Sequence, residues 1–169
     1  LPTDVRDIFL YGNYVFSVGG YTDEFLVIDI SSPTAPVLEE RPTESFSGAS
    51  FRWAYQYDDY VYLLDSGSGV WVVDLSSPLA PTVVNRLQLP MTLGCLYGRG
   101  STLYICAEEK YFHFADVSDP LEPVLAYSGD LVAGSFLYTS IVVHNNNVYG
   151  REEYLYDGDT DGGQFGVFD

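Results

Sequence analysis

The chain has 169 residues, enough for one domain with a buried core. Seven basic residues against 24 acidic ones leave a net charge of −17, which argues against nucleic acid and against an anionic membrane surface as partners. No apolar run approaches membrane-spanning length and no signal-peptide pattern is present, so no membrane insertion is expected.

In chain order, residues 5–18 form a hairpin. Asp7–Tyr11 and Tyr14–Val18 flank Gly12-Asn13, a two-residue turn of the kind that accepts positive φ. Next comes the apolar run Phe25-Leu26-Val27-Ile28, then Asp29-Ile30-Ser31-Ser32-Pro33-Thr34-Ala35-Pro36. Such a run reads as a strand buried on both faces. The Asp or Ser side chains can bond backbone N–H groups just ahead and stop the ladder. The first proline presets a turn. The second opens a strand, which is allowed at a strand start or on an edge strand. Val37-Leu38 is therefore the outer edge of its sheet.

The series then repeats. Trp53–Tyr57, Asp58-Asp59 and Tyr60–Leu64 make a second hairpin, followed by Val70-Trp71-Val72-Val73 and Asp74-Leu75-Ser76-Ser77-Pro78-Leu79-Ala80-Pro81, with outer strand Thr82–Val84. The third hairpin turns at Gly98–Ser101, read as a four-residue turn. It precedes Phe112-His113-Phe114-Ala115, Asp116-Val117-Ser118-Asp119-Pro120-Leu121-Glu122-Pro123 and outer strand Val124–Ala126. The fourth runs Ile141–His144, Asn145-Asn146, Asn147–Tyr149, a long insertion without the proline turn, and Phe165–Asp169. The aspartates stand 45, 42 and 53 residues apart, a period that marks a solenoid or propeller.

Each unit is a hairpin, a third strand ending in Asp, a proline turn and a fourth strand. Four antiparallel strands per forty-odd residues is a β-propeller blade. The expectation is an all-β propeller domain of four repeats, at 1–41, 42–87, 88–128 and 129–169. Val5–Tyr11, Trp53–Tyr57, Leu93–Tyr97 and Thr139–His144 should lie nearest the axis. Fifteen Tyr and ten Phe suit such a fold, and Phe16, Tyr62, Tyr104 and Tyr149 at one repeat position read as a packing layer.

The run FLVIDISSPTAP, with VWVVDLSSPLAP, FHFADVSDPLEP and the hairpins YGNYVF and YDDYVY, resembles the LVIVD repeat of secreted and surface-attached bacterial and archaeal proteins. The resemblance covers essentially the whole chain and implies a propeller in an exported protein, extracellular or on the cell surface. It implies no defined reaction, so no catalytic residue is carried over. Only Leu1–Asp4 precede the first hairpin and the fourth repeat lacks its outer strand, so a fragment of a larger propeller is expected. A start at Leu1 rather than Met points the same way or to a removed leader.

In a propeller the hairpin and Asp–Pro turns share one face, here uniform and so structural. The opposite face carries variable loops: Gly19–Glu24, Asp65–Gly69, Glu108–Tyr111, Gly150–Gln164, and the inter-blade stretches Arg41–Ser50, Gln88–Met91 and Ser128–Phe136. Binding usually resides on such loops. Asp157, Asp159 and Asp161 alternate as in the first half of a calcium loop, completed by the Gly163 backbone, Asp169, Glu152, Glu153 or water. Phe168 stands where such a loop has its Glu; the alternative is an ordinary polar hairpin tip.

On a four-residue turn, Cys95 would face Tyr104 and Cys106 would face Leu93, so two buried free thiols are expected over a disulfide. His113 falls inside a buried strand and reads as a satisfied core histidine. His144 ends a strand, and the two histidines make no metal triad. Neither Glu108-Glu109 nor Glu152-Glu153 is poised to share a proton, because neighbours on a strand point to opposite faces. No G-x-S-x-G elbow, phosphate-binding glycine loop or haem signature occurs.

The function read from this is a non-catalytic extracellular binding or scaffold module presenting an acidic, Tyr-rich loop face. The partner would be a protein or a glycan, or another copy joined through open sheet edges. The alternatives are part of an extracellular polymer-acting hydrolase or lyase with its site on other blades, or a filament-forming subunit.

Overall fold

The first sheet shows how each unit is built. Strands β1 (Asp7–Tyr11), β2 (Tyr14–Gly19), β3 (Glu24–Asp29) and β4 (Val37–Leu38) pair in chain order, all antiparallel. The computed structural model describes residues 5–19, 24–39, 46, 48–67, 69–89, 91–107, 111–130, 136–144, 147–154 and 165–168. The second sheet is β5 (Phe51–Tyr57), β6 (Tyr60–Asp65), β7 (Gly69–Asp74) and β8 (Thr82–Gln88). The third is β9 (Leu93–Arg99), β10 (Thr102–Ala107), β11 (Tyr111–Asp116) and β12 (Val124–Asp130). The fourth has β13 (Phe136–His144), β14 (Asn147–Tyr154) and β15 (Phe165–Phe168). Among the described residues there is no helix.

The first strands of successive sheets lie against one another, β1 on β5, β5 on β9 and β9 on β13, whereas among the described residues no comparable packing joins the outer strands. The sheets thus fan outward from their first strands, as the repeat requires. The middle strands of the second and third sheets are apolar on both faces because each of these sheets has a neighbour on either side. In β6, Val61 and Leu63 join Phe16, Val18 and Val27 of the first sheet, while Tyr62 and Leu64 join Leu103 and Ile105 of the third. A third cluster joins Cys95, Cys106 and Phe112 to Ile141 and Val143 of the fourth sheet.

The aromatic layer is real. Phe9↔Phe16, Tyr55↔Tyr62 and Tyr97↔Tyr104 are equivalent cross-strand pairs, and Val142↔Tyr149 is their counterpart in the fourth sheet. The Phe9 and Phe16 rings stack with centroids 5.0 Å apart.

Several local expectations are corrected. The third hairpin turns on Gly100-Ser101, two residues rather than four, because Gly100 at φ 55° supplies the left-handed first position that Gly12 and Asp58 supply in the first two hairpins. The shorter turn brings Cys95 directly opposite Cys106, Cα–Cα 5.0 Å, and the two form a disulfide rather than free thiols. Outer strands β8 and β12 run to Gln88 and Asp130, beyond the three residues expected. β14 extends to Tyr154, so Glu152 and Glu153 lie in a strand, not a loop. Each longer outer strand carries a bulge at the same place, at Val84 and at Ala126, where the register slips.

Candidate functional site

The turn face is built from each unit's Asp. Asp29, Asp74 and Asp116 each accept the N–H two residues on, from Ser31, Ser76 and Ser118, at 2.7, 2.7 and 2.8 Å. The Ser31 and Ser118 amides hold the Asp29 and Asp116 carboxyls below the usual range. The next N–H in each unit, of Ile30, Leu75 or Val117, donates back to the hairpin turn, to the carbonyls of Asn13, Asp59 and Ser101. Each Asp therefore ties its proline turn to its own hairpin.

The same face ties blade to blade. The Tyr11 hydroxyl donates to Asp59 Oδ1 of the next hairpin at 2.6 Å, and that bond pushes its pKa up to about 12. Tyr55 donates to the Gly100 carbonyl at 3.1 Å and Tyr62 to that of Val117 at 3.4 Å. The Asn85 amide reaches the Leu121 carbonyl. These polar groups are occupied in holding the blades together.

Toward the opposite face, β6 ends on Asp65, 4% exposed. Its Oδ1 accepts the N–H groups of Ser50 at 3.2 Å and Gly67 at 3.3 Å. Its Oδ2 takes the Trp71 indole at 3.3 Å and the Arg86 guanidinium at 3.4 Å. Arg86 also lies over the Trp71 ring, 4.5 Å from its centroid. With four donors converging on it, Asp65 is an anchor for the loop that follows, not a free base. The sequence reading missed this cluster: Asp65 was the first residue of a variable loop, and nothing in the spacing couples it to Arg86. Phe46 was likewise assigned to an inter-blade loop. It is buried, packing edge-on against Phe25, Phe51 and Trp71 and wedging the first two blades together.

His113 lies in the core as expected, 1% exposed, but it is not the fully satisfied histidine expected. Its Nε2 lies 3.2 Å from Met91 Sδ, while Nδ1 has no hydrogen-bond partner among the described residues. Burial pushes its pKa down, which keeps the ring neutral. Asp157, Asp159, Asp161 and Gly163 lie outside the described residues, as do Glu108, Glu109 and Asp169. Among the described residues no three His, Cys, Asp or Glu side chains come together as a metal site.

A family model described as the LVIVD repeat matches residues 2–43 and 56–88, the first two units of this geometry. Those two segments carry LVIVD repeats. No curated protein matches this chain in sequence. Solved structures match its fold. The N-terminal domain of Nup159 aligns over 97% of the chain and 44% of its own at 10% identity, TM-score 0.62. The computationally designed Ika8 protein aligns over 97% and 45% at 16% identity, TM-score 0.68. The designed Ika4 protein aligns over 97% and 89% at 15% identity, TM-score 0.67. The LVIVD chain thus spans less than half the length of the first two. A chain from S. cerevisiae Dbp5 bound to Nup159, Gle1, IP6 and ADP matches similarly, at 10% identity and TM-score 0.62. At these identities the likeness shows a propeller-like fold alone.

Proposed function

We propose that this LVIVD-repeat chain is a non-catalytic extracellular or cell-surface binding and scaffold module whose acidic, tyrosine-rich loop face receives a protein partner. The observation that carries the reading is the division of labour between the two faces. Asp29, Asp74 and Asp116 of the turn face are bonded to their own turns, Tyr11 and Tyr55 to the next blade, and Asp65 is enclosed by four donors. The loops above that anchor are left as the part of the scaffold free to vary. A net charge of −17 favours a basic surface on the partner. The Nup159 found with Dbp5 and Gle1 offers an example of a similar fold in a protein assembly. The Cys95–Cys106 disulfide supports an oxidising, extracellular setting.

The test compares two faces on protein and glycan arrays. Replacing residues 66–68 and 108–110 with Gly-Ser should abolish capture of basic proteins, while Asp74→Ala should leave it intact. The opposite pattern would overturn the assignment, and capture of neutral glycans alone would replace the protein by a glycan. Calcium at Asp157, Asp159, Asp161 and Gly163 is part of the same proposal, resting on the alternating carboxylates of the sequence.

A further inference from the structure

A row of apolar side chains crosses the first sheet on the face turned away from the second: Leu10↔Val15↔Ile28↔Leu38. Leu10 is 62% exposed and Leu38 50%, and Ile8, beside Leu10 on the same face, is 63% exposed, whereas Val15 and Ile28 are half-buried and Ser17 and Leu26, which follow Ile8 across the sheet, are buried. The equivalent rows are Gln56↔Val61↔Val73↔Val83 and Gly98↔Leu103↔Ala115↔Leu125. There the middle members Val61, Val73, Leu103 and Ala115 are buried, because the preceding sheet lays its aromatic row on them. The aromatic row of the third sheet is covered in turn by Ile141 and Val143. The fourth sheet's counterpart row begins with Val142, 48% exposed. Among the described residues, no packing of the kind that joins consecutive sheets joins the fourth sheet to the first.

We infer that a second copy of this chain closes the ring, its fourth sheet packing on Ile8, Leu10 and Leu38 of the first, and its own first sheet receiving the other fourth sheet. The occupant follows from the repeat. What covers this row inside the chain is the aromatic face of a preceding blade, and the fourth sheet's equivalent row begins with Val142, an apolar residue left exposed. Of the solved propellers that superpose on these four sheets, Nup159 and Ika8 are more than twice as long as the aligned chain and Ika4 is close to it in length, so two copies of four sheets reach the size of the longer pair. A two-fold pair makes both junctions at once and leaves neither face open. Edge-to-edge pairing is disfavoured, since the outer strands begin just after Pro36, Pro81 and Pro123, and two carry bulges. Two copies of charge −17 repel, so salt should favour the pair.

The test is mass by light scattering on the 169-residue chain across a concentration series. The expected result is twice the 18.8 kDa of one chain, with the dimer fraction rising with NaCl. Leu10→Asp and Val142→Asp, both at exposed positions, should give monomers with unchanged strand circular dichroism. Val124→Asp, on the outer strand of the third sheet, should remain dimeric. A monomer at every concentration would overturn the proposal, as would open-ended assemblies or a dimer fraction that falls with salt. A dimer that survives Leu10→Asp but is lost in Val124→Asp would also overturn it, and would assign the contact to the sheet edges.

Discussion

At the residue scale, the repeated Asp earns its place by hydrogen bonding rather than by ion pairing. Asp74 satisfies the Ser76 N–H directly after its strand, where the ladder no longer can. Asp74→Ala should destabilise by about 0.5–2 kcal/mol, by analogy with other side-chain caps, as read from urea unfolding. Asp29 and Asp116 have folded-state pKa values below the unfolded 3.8, so their stabilisation is present above that value and is lost as pH falls through the folded one. Tyr11 carries the opposite sign. Its folded pKa of about 12 against an ordinary 10 means that its contribution is intact below pH 10 and is lost as pH rises towards 12. In Asp59→Asn the Tyr11 hydroxyl should titrate closer to 10. Tyrosinate absorbance, differenced against Tyr11→Phe, reads this; an unmoved titration would show that the Asp59 bond is not the cause.

At the element scale, the blades interlock through one missing side chain. The Tyr55 ring of the second sheet lies on the backbone of Gly98 in β9, so that a Cβ there would collide with the ring. Tyr55 can then reach the Gly100 carbonyl. Gly98→Val should push the ring out and cost about 1–3 kcal/mol. Tyr55→Ala in the same chain should recover part of the steric loss, which a double-mutant cycle in urea would measure. If Gly98→Val unfolds at the same urea concentration as the parent chain, the interlock is not a stability determinant. The first three hairpins follow from short-range chemistry, since each of their two-residue turns opens on a residue at positive φ. Asp58, at φ 50°, is the one non-glycine among the described residues that does so.

At the scale of the molecule, the acidity of the chain gives a cation something to do. Three carboxylates within five residues, Asp157, Asp159 and Asp161, repel one another unless a divalent ion joins them. An ion bound only by the folded form adds about 2.7 kcal/mol at a hundredfold excess over Kd. The melting temperature should fall with chelator and recover with calcium more than with magnesium, which takes smaller, stricter octahedral sites. Lacking the usual Glu, the loop should bind with a Kd on the order of 0.1–1 mM. Asp159→Ala should abolish the response while the other three blades stay folded. A melting curve indifferent to chelator would leave a polar loop.

What the sequence determined by itself is whatever recurs. The period, the strand order, the turn on Asp and Pro, the edge position of the fourth strand and the aromatic layer were all legible, because each is enforced by neighbours a few residues away and is written several times. The tertiary structure decided what depends on single residues meeting across units. A turn of two residues instead of four set Cys95 against Cys106, since cross-strand register passes the error of one turn to every pair beyond it. Asp65 meets Arg86 only because β8 lies beside β7, and Phe46 fills the space between blades from a segment with no repeat to announce it. The open apolar face of the first sheet was equally hidden. Its residues carry the same alternation as those of the second and third sheets, and only the packing of one blade on the next shows which members are covered and which, such as Ile8, Leu10 and Leu38, are left exposed.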